Sequence, residues 1–267
     1  MTIDTFEKIS CKYCSSTVIV KNGTAPSKSG KRRQRYLCCT CNRTFVVGDR
    51  RCAQDRDKHI GVVVKEYTTD SKSLRGAAKS ANVSVTTAMR WLKDVANELP
   101  DVNEAYEQAM VDKDPDESMD FMMDEMWHFK DKKINKLWII KIYDSTSEYL
   151  VDFEIGGRDE ETLLKLYNRI SNNCNIRYYV DDWKTFSKVL TDNNEKYFIG
   201  KEYTYPIEQH NSNTRHYISR FHRRTKVVSR SKEMIAISIK LMTLRYEHPH
   251  LMQKYLTPLF PKVGAAA

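Results

Sequence analysis

The 267-residue sequence has no run of about 18 apolar residues, so no helix in it is expected to span a bilayer. Its N-terminus carries no apolar signal stretch, so nothing there points to export, and a cytoplasmic protein is expected. Acids are almost missing from positions 11–51, where ten Lys or Arg stand against one acid, Asp49. Basic residues are almost missing from positions 98–125, where eleven acids stand against one Lys. Disulfides are not expected either. The cysteines number seven, an odd count, and four of them pair as C-x-x-C, which without an export signal suggests a metal.

What is present suits a cored, multidomain protein. Hydrophobic residues make up 40%, and the length allows two or three domains. The net charge of +9 favours a polyanionic partner. Basic residues dominate again over 201–232, giving a modular basic, acidic, basic pattern.

Cys11 and Cys14 form one C-x-x-C knuckle, and Cys38 and Cys41 form a second about two dozen residues on. That spacing lets two turns close on one tetrahedral Zn²⁺. Cys39 is the spare, because only Cys38 and Cys41 match the first knuckle; Cys52 and Cys174 are expected to be replaceable. The region is too short and polar to fold on a core alone, so a metal is needed. Between the knuckles, Lys31, Arg32, Arg33 and Arg35 are expected to meet DNA phosphates.

Ile60, Val63, Val64 and Tyr67 have helical spacing within 55–67. Positions 73–92 then read as a helix-turn-helix. Ala77 and Ala78 permit close crossing, Asn82 can take the left-handed turn, and Ser84 caps the second helix. Val83, Ala88, Trp91 and Leu92 face inward, which leaves Thr86, Thr87, Arg90 and Lys93 for the DNA. The acidic stretch 98–118, with Pro100, Pro115 and a helical part over 102–110, reads as a linker. The expected domains are a zinc ribbon (1–52), a helix-turn-helix (53–97), the linker (98–118) and a catalytic domain (119–260).

From residue 119 the pattern changes to strands. Met119–Phe129, 136–143 and 149–155 are β-type runs separated by short polar turns, so an antiparallel meander is predicted. A helix over 159–170 follows, then the strand Ile176–Val180, which a crossover can return parallel to the first. Asp124 lies on the first strand and Asp181 follows the fourth. Glu208 opens a helix predicted to reach about residue 223, with Asn211 or Ser212 and Arg215 on the same face. Arg223 and Arg224 belong to its basic, DNA-facing end, and a last helix is expected over 231–245. Strand order β-β-β-α-β with acids after the first and fourth strands is the RNase H-like arrangement. Three such acids can hold two Mg²⁺ or Mn²⁺ ions, bridged by Asp124 and Asp181 with Glu208 on one. Asp182 competes with Asp181 as the second ligand. Asp152 is a weaker rival, expected mid-strand on an exposed face. Trp127 and Trp183 read as wall or core, and 264–267 as an unstructured tail.

Three blocks carry a resemblance: Asp124-Glu-Met-Trp127, Val180-Asp-Asp-Trp183 and Ile207-Glu-Gln-His-Asn211 with Arg215 seven residues after the Glu. On these the chain resembles transposases of the insertion sequence 1 family over nearly its whole length. One departure is Asp182, where that family usually has Gly. The resemblance implies a D-D-E site on an RNase H-like fold, and cut-and-join chemistry at the terminal inverted repeats of an insertion sequence. Double-stranded DNA, as element end and as target, is the implied partner. Joining two ends calls for a homodimer or larger assembly on DNA. Arg215 would hold a DNA phosphate, and Asn211 would support a metal-bound water or the DNA. The alternative reading is a non-catalytic DNA-binding regulator using only the ribbon and helix-turn-helix. His248, His250 and Tyr255 suggest a tyrosine-nucleophile relaxase only superficially, because Pro249 is poor in the strand that chemistry needs.

Overall fold

A computed structural model describes residues 9–26, 30–47, 56–114, 117–170 and 175–256; Cys52, Cys174 and the 264–267 tail lie outside them. The chain divides into two units, residues 1–56 and 57–267.

In the first unit, β1 (Ile19–Pro26), β2 (Arg32–Cys38) and β3 (Thr44–Val46) form an antiparallel sheet in that order. Gly23, at φ +65°, sits in the irregularity between Lys21 and Thr24 that bends β1. The apolar cluster here is slight. Cys11, Cys38 and Phe45 are buried, with Ile9, Ile19, Tyr36 and Cys41 packed against them.

The second unit is built on a five-stranded mixed sheet. Its strands β4 (Met119–Phe129), β5 (Lys136–Asp144) and β6 (Tyr149–Gly156) form the expected meander. Helix α5 (Glu160–Tyr167), capped by Asp159, crosses over to β7 (Ile176–Val180), which pairs parallel to β4. Two further elements extend the sheet beyond the sequence reading: α6 (Lys184–Asp192) leads to β8 (Lys196–Ile199), parallel to β7. The spatial order is β6-β5-β4-β7-β8, the RNase H-like mixed sheet. Alternation along β4 sends Phe121 and Met123 into a core with Ile140, Leu163 and Phe186 on the α5–α6 face. Met126 packs on the opposite face with Ile139, Ile235 and Ile239, the last two from α8 (Lys232–Glu247).

The acidic stretch is not a bare tether. Helix α4 (Val102–Met110) opens with a capping box of Asp101 and Glu104 and buries Val102, Ala105 and Tyr106. The Tyr106 hydroxyl donates to Asp144 Oδ2 at 3.0 Å. Its acids lie on the solvent side or at the N-terminus, where they favour the helix dipole.

Helix α1 (Arg56–Thr68) lies where a helix is expected, and α2 (Leu74–Ser80) and α3 (Val85–Glu98) form the two helices of the expected helix-turn-helix. Ser73 and Ser84 accept the capping bonds, and Asn82 takes φ +52°. These helices do not stop at their own core. Trp91, Leu92 and Tyr67 share one cluster with Leu241 and Leu244 of α8 and with Met252 and Tyr255 of α9 (Pro249–Leu256). The boundary expected near residue 97 is therefore crossed by packing, and residues 57–267 form a single unit. Among the described residues, no helix is long and apolar enough to cross a membrane.

Candidate active site

Strand β4 runs through the core for five residues and then presents acids. Its parallel register with β7 sets Met123 opposite Val180, so Asp124 and Asp181 emerge side by side. Oxygens of Asp124, Glu125 and Asp181 all lie within 4.8 Å of one another. Burial pushes the Asp124 carboxyl above its ordinary range, and the negative charges of Asp181 and Glu208 add to the rise. The Asn211 side-chain amide donates to Asp124 Oδ2 at 2.7 Å. The Trp183 backbone N–H donates to Asp181 Oδ1 at 2.9 Å, which fixes that carboxylate against its strand end. Asp182 is exposed and takes no part in the cluster.

Glu208, Asn211 and Arg215 come from one face of α7 (Tyr205–Tyr217), which starts with Pro206 in its first turn. They line a cleft of about 890 Å³ together with Asp124, Glu125 and Arg223. Glu208 stays outside the tight group of three acids but close enough for its charge to act on Asp124. Arg215 sits between two influences: burial and the charge of Arg223 lower its pKa, while Asp124 opposes them. The helix expected to run to about residue 223 ends at Tyr217. Ile218 turns extended and buries itself with Phe221 in the cluster of Ile235 and Ile239, and Ser219–Phe221 form a short 3-10 turn. The break carries Arg223 back to the cleft; Arg224 is exposed and is not among the residues lining it.

Three site residues escaped the sequence reading. Glu125 joins the acid group, and burial, with the charge of Asp181, raises its pKa to about 7. Arg158 pairs with it at 2.5 Å. Lys141 stands directly across from Asp124 on β5 and is fully buried. Its Nζ donates to Thr214 Oγ1 at 2.8 Å and lies 3.2 Å from His210 Nδ1. His210 Nε2 in turn meets Glu247 Oε1 at 3.0 Å. Burial lowers the Lys141 pKa to about 7. One signal for it was visible: a lysine inside the apolar run Leu137-Trp-Ile-Ile-Lys-Ile-Tyr143. This network ties α7 to the sheet. Lys141→Ala is expected to cost about 2–4 kcal/mol in urea unfolding, because it leaves a cavity and unpartnered polar groups. Lys141→Met, which fills the volume, is expected to cost about half as much.

Other expected residues are placed as follows. Asp152 is not exposed; it is buried and paired with Arg169 at 2.8 Å, away from the cleft, because α5 and the turn after it cover that end of β6. Thr86 and Arg90 are exposed on α3, whereas the Thr87 hydroxyl bonds the Ser84 cap and Lys93 pairs with Glu233 at 2.5 Å. In the ribbon, Lys31 and Arg33 are exposed, Arg32 donates to Thr24 and Arg35 to the Asn22 carbonyl. His248 is buried, Pro249 opens α9, and the Tyr255 hydroxyl donates to Glu98, so the relaxase residues do not form a site.

The four expected ribbon cysteines converge. Cys11 Sγ lies 3.6 Å from Cys41 Sγ, and Cys14 Sγ lies 3.5 Å from Cys38 Sγ. All four sulfurs lie within 4.8 Å of one another. A tetrahedron with Zn–S bonds of about 2.3 Å has edges of about 3.8 Å, so the set fits zinc. The sulfurs are too far apart for disulfides of about 2.05 Å. Backbone N–H groups of Cys41 and Thr40 draw the Cys38 thiol down to about 6, while burial and the neighbouring sulfurs hold Cys14 and Cys41 up, so without a cation the four sulfurs do not all ionise together. Cys39 is exposed and outside the group. The acid group also fits its ion: one Glu125 oxygen and Asn211 Oδ1 are buried with no hydrogen-bond partner among the described residues, and hard divalent cations take such oxygens.

The family model described as IS1 transposase matches residues 119–245. The insertion element IS1 protein InsB of Shigella sonnei is 30% identical over 112 residues, covering 42% of this chain and 84% of that protein. The insertion element IS1 9 protein InsB of Escherichia coli (strain K12) is also 30% identical, and the chain spans 66% of its length. Among solved structures, a simian T-cell lymphotropic virus intasome in complex with PP2A regulatory subunit B56 gamma aligns at 12% identity and a TM-score of 0.35, over 78% of this chain and 76% of that chain. A pre-cleavage Mos1 transpososome aligns at 10% and 0.28, over 75% of this chain and 78% of that chain. Scores that low carry no weight for the site. The family match runs from the first residue of β4 into α8, across every element that brings the acids together, and with it the chain belongs to the IS1 transposase family.

Proposed function

We propose that the chain binds the terminal inverted repeats of an insertion sequence and carries out strand cleavage and strand transfer on them. The observation that supports this best is the parallel register of β4 and β7, which sets Asp181 beside Asp124, a residue of the cleft that Glu208 and Arg215 also line. Two Mg²⁺ or Mn²⁺ ions held by Asp124, Asp181 and Glu208 would supply a nucleophile at neutral pH and stabilise the leaving oxygen. The protein's own part is orientation and charge. Asn211 aims the Asp124 carboxylate, and the Trp183 N–H aims Asp181. Arg215 and Arg223 offer forked donors to phosphates beside the scissile bond. The work is cytoplasmic, on chromosomal DNA, and because two ends must be joined it takes at least two chains.

Recognition divides into two kinds of contact. Thr86 and Arg90 on α3 reach base edges, and the ribbon cations hold phosphates. Arg90→Ala is therefore expected to lose about 1–3 kcal/mol of discrimination between repeat and non-repeat duplexes. Arg32→Ala is expected to weaken all duplexes alike and to flatten the salt dependence by about one unit of slope. Titrations at several salt concentrations separate the two, and an exchange of the effects overturns the assignment. The function itself is tested by incubating the protein with short duplexes that end in the flanking repeat, with and without Mg²⁺. Nicking at the repeat boundary that needs the ion supports it. Tight binding with no cut in any divalent ion points instead to a non-catalytic regulator.

A further inference from the structure

One cation beside the acids has no place in the function just proposed. Arg158 stands in the loop between β6 and α5. Its guanidinium carbon lies 5.1 Å from the ring centre of Trp138 and 5.1 Å from that of Trp183, and one of its nitrogens is 2.5 Å from Glu125 Oε1. Two indole faces orient a planar guanidinium by cation–π attraction. A positive charge is thus framed against three carboxylates whose oxygens lie within 4.8 Å of one another. Glu125 is set apart from an ordinary surface ion pair. Its side chain is only 5% exposed, and its second oxygen, Oε2, is buried with no hydrogen-bond partner among the described residues. Alternation along β4 brings Glu125 to the group from the α5–α6 face, while Asp124 comes from the α7 face.

We propose that Glu125 is a further ligand for the divalent cations of this site, and that Arg158 holds it as an internal counter-ion until a cation takes its place. This rests on the transposase reading above. Carboxylates this close repel one another unless positive charge is present. Arg158 supplies one such charge when the ion is absent, and so competes with it. On release it keeps its stacking frame, and its side chain is 42% exposed, so it faces solvent where a DNA phosphate can meet it.

The test is Mn²⁺ binding by the full chain without DNA, followed by electron paramagnetic resonance. Arg158→Gln is expected to bind Mn²⁺ about tenfold more tightly, because a competing unit charge is gone. Arg158→Lys, which keeps the charge, is expected to stay near the parent. Glu125→Gln is expected to bind about tenfold more weakly. Unchanged or weaker binding in Arg158→Gln overturns the counter-ion role, and parent-like binding in Glu125→Gln overturns the ligand role. If Arg158→Gln does not give a cooperative melt, the Glu125→Gln measurement decides. Asp124→Asn separates this inference from the reading beneath it. If Asp124→Asn loses Mn²⁺ while the Arg158 and Glu125 variants match the parent, only the inference fails. If Asp124→Asn binds like the parent, the metal site fails and the proposed chemistry with it.

Discussion

Asparagine at Asp124 or Asp181, or glutamine at Glu208, is expected to reduce strand cleavage and strand transfer by at least about 10³-fold. Binding to repeat-ended duplexes is expected to stay within about twofold of the parent, because α3 and the ribbon are untouched by these changes. The size of the effect follows from the geometry. Asp124 lies mid-strand on β4 just past its last pair with β7, level with Asp181 at the end of β7, so each supplies oxygens that the other cannot replace. Asp182→Asn is expected to cleave normally, because that side chain is exposed and is not part of the group. Asp152→Asn is expected to keep its chemistry while lowering the melting temperature, since the substitution breaks a buried pair with Arg169. The measurement is cleavage of an end duplex in Mg²⁺ by each variant, with binding followed in parallel. Normal cutting by Asp181→Asn together with a dead Asp182→Asn would reassign the second ligand. Parent-like cutting by all three variants would remove the transposase chemistry.

Stripping zinc is expected to unfold the N-terminal unit outright. The three buried apolar residues among those described cannot offset the conformational entropy of ordering that segment, whereas a structural zinc site contributes roughly 10–16 kcal/mol in comparable small domains. Hydrogen exchange in the presence of a strong chelator should therefore lose protection across β1, β2 and β3, while protection of β4, β5 and α8 persists in their own unit. Cys38→Ser is expected to lose the metal and Cys39→Ser to keep one zinc per chain. Full zinc content in Cys38→Ser, or a protected ribbon under chelator, would refute the assignment.

The meander, the crossover and the return of β7 were legible because each is a local pattern: β-type runs, polar turns and one helical period. The cap at Ser84 and the left-handed Asn82 were legible for the same reason. What escaped depends on partners distant in the chain. The helix α4 within the acidic stretch was legible, but its docking was not: Val102, Ala105 and Tyr106 are buried, and the composition of 98–118 suggested only a linker. Trp91 and Leu92 looked satisfied by their own helical pair, yet their cluster includes residues about 150 positions later. Glu125 follows a recognised acid, so it read as an ordinary strand residue; its role appears only once Arg158 and Asp181 surround it. The end of α7 was overrun because Ile218 and Phe221 also fit a helical period, and the cluster with α8 decided otherwise.

The shared core of α1–α3 with α8 and α9 has a mechanical consequence. A reading head on a loose tether can cut anywhere within the tether's reach, and its accuracy then depends on the DNA alone. Here α3, the helix proposed to read bases, is packed to α8, the same helix that backs the five-stranded sheet, with Tyr67 bonded to Ser238 at 2.7 Å and Lys93 to Glu233. On the proposed function, the distance from recognised base to cut bond would be set by the molecule, like the throat of a punch. Loosening that joint would blur the position of the cut before it changed either the affinity or the chemistry.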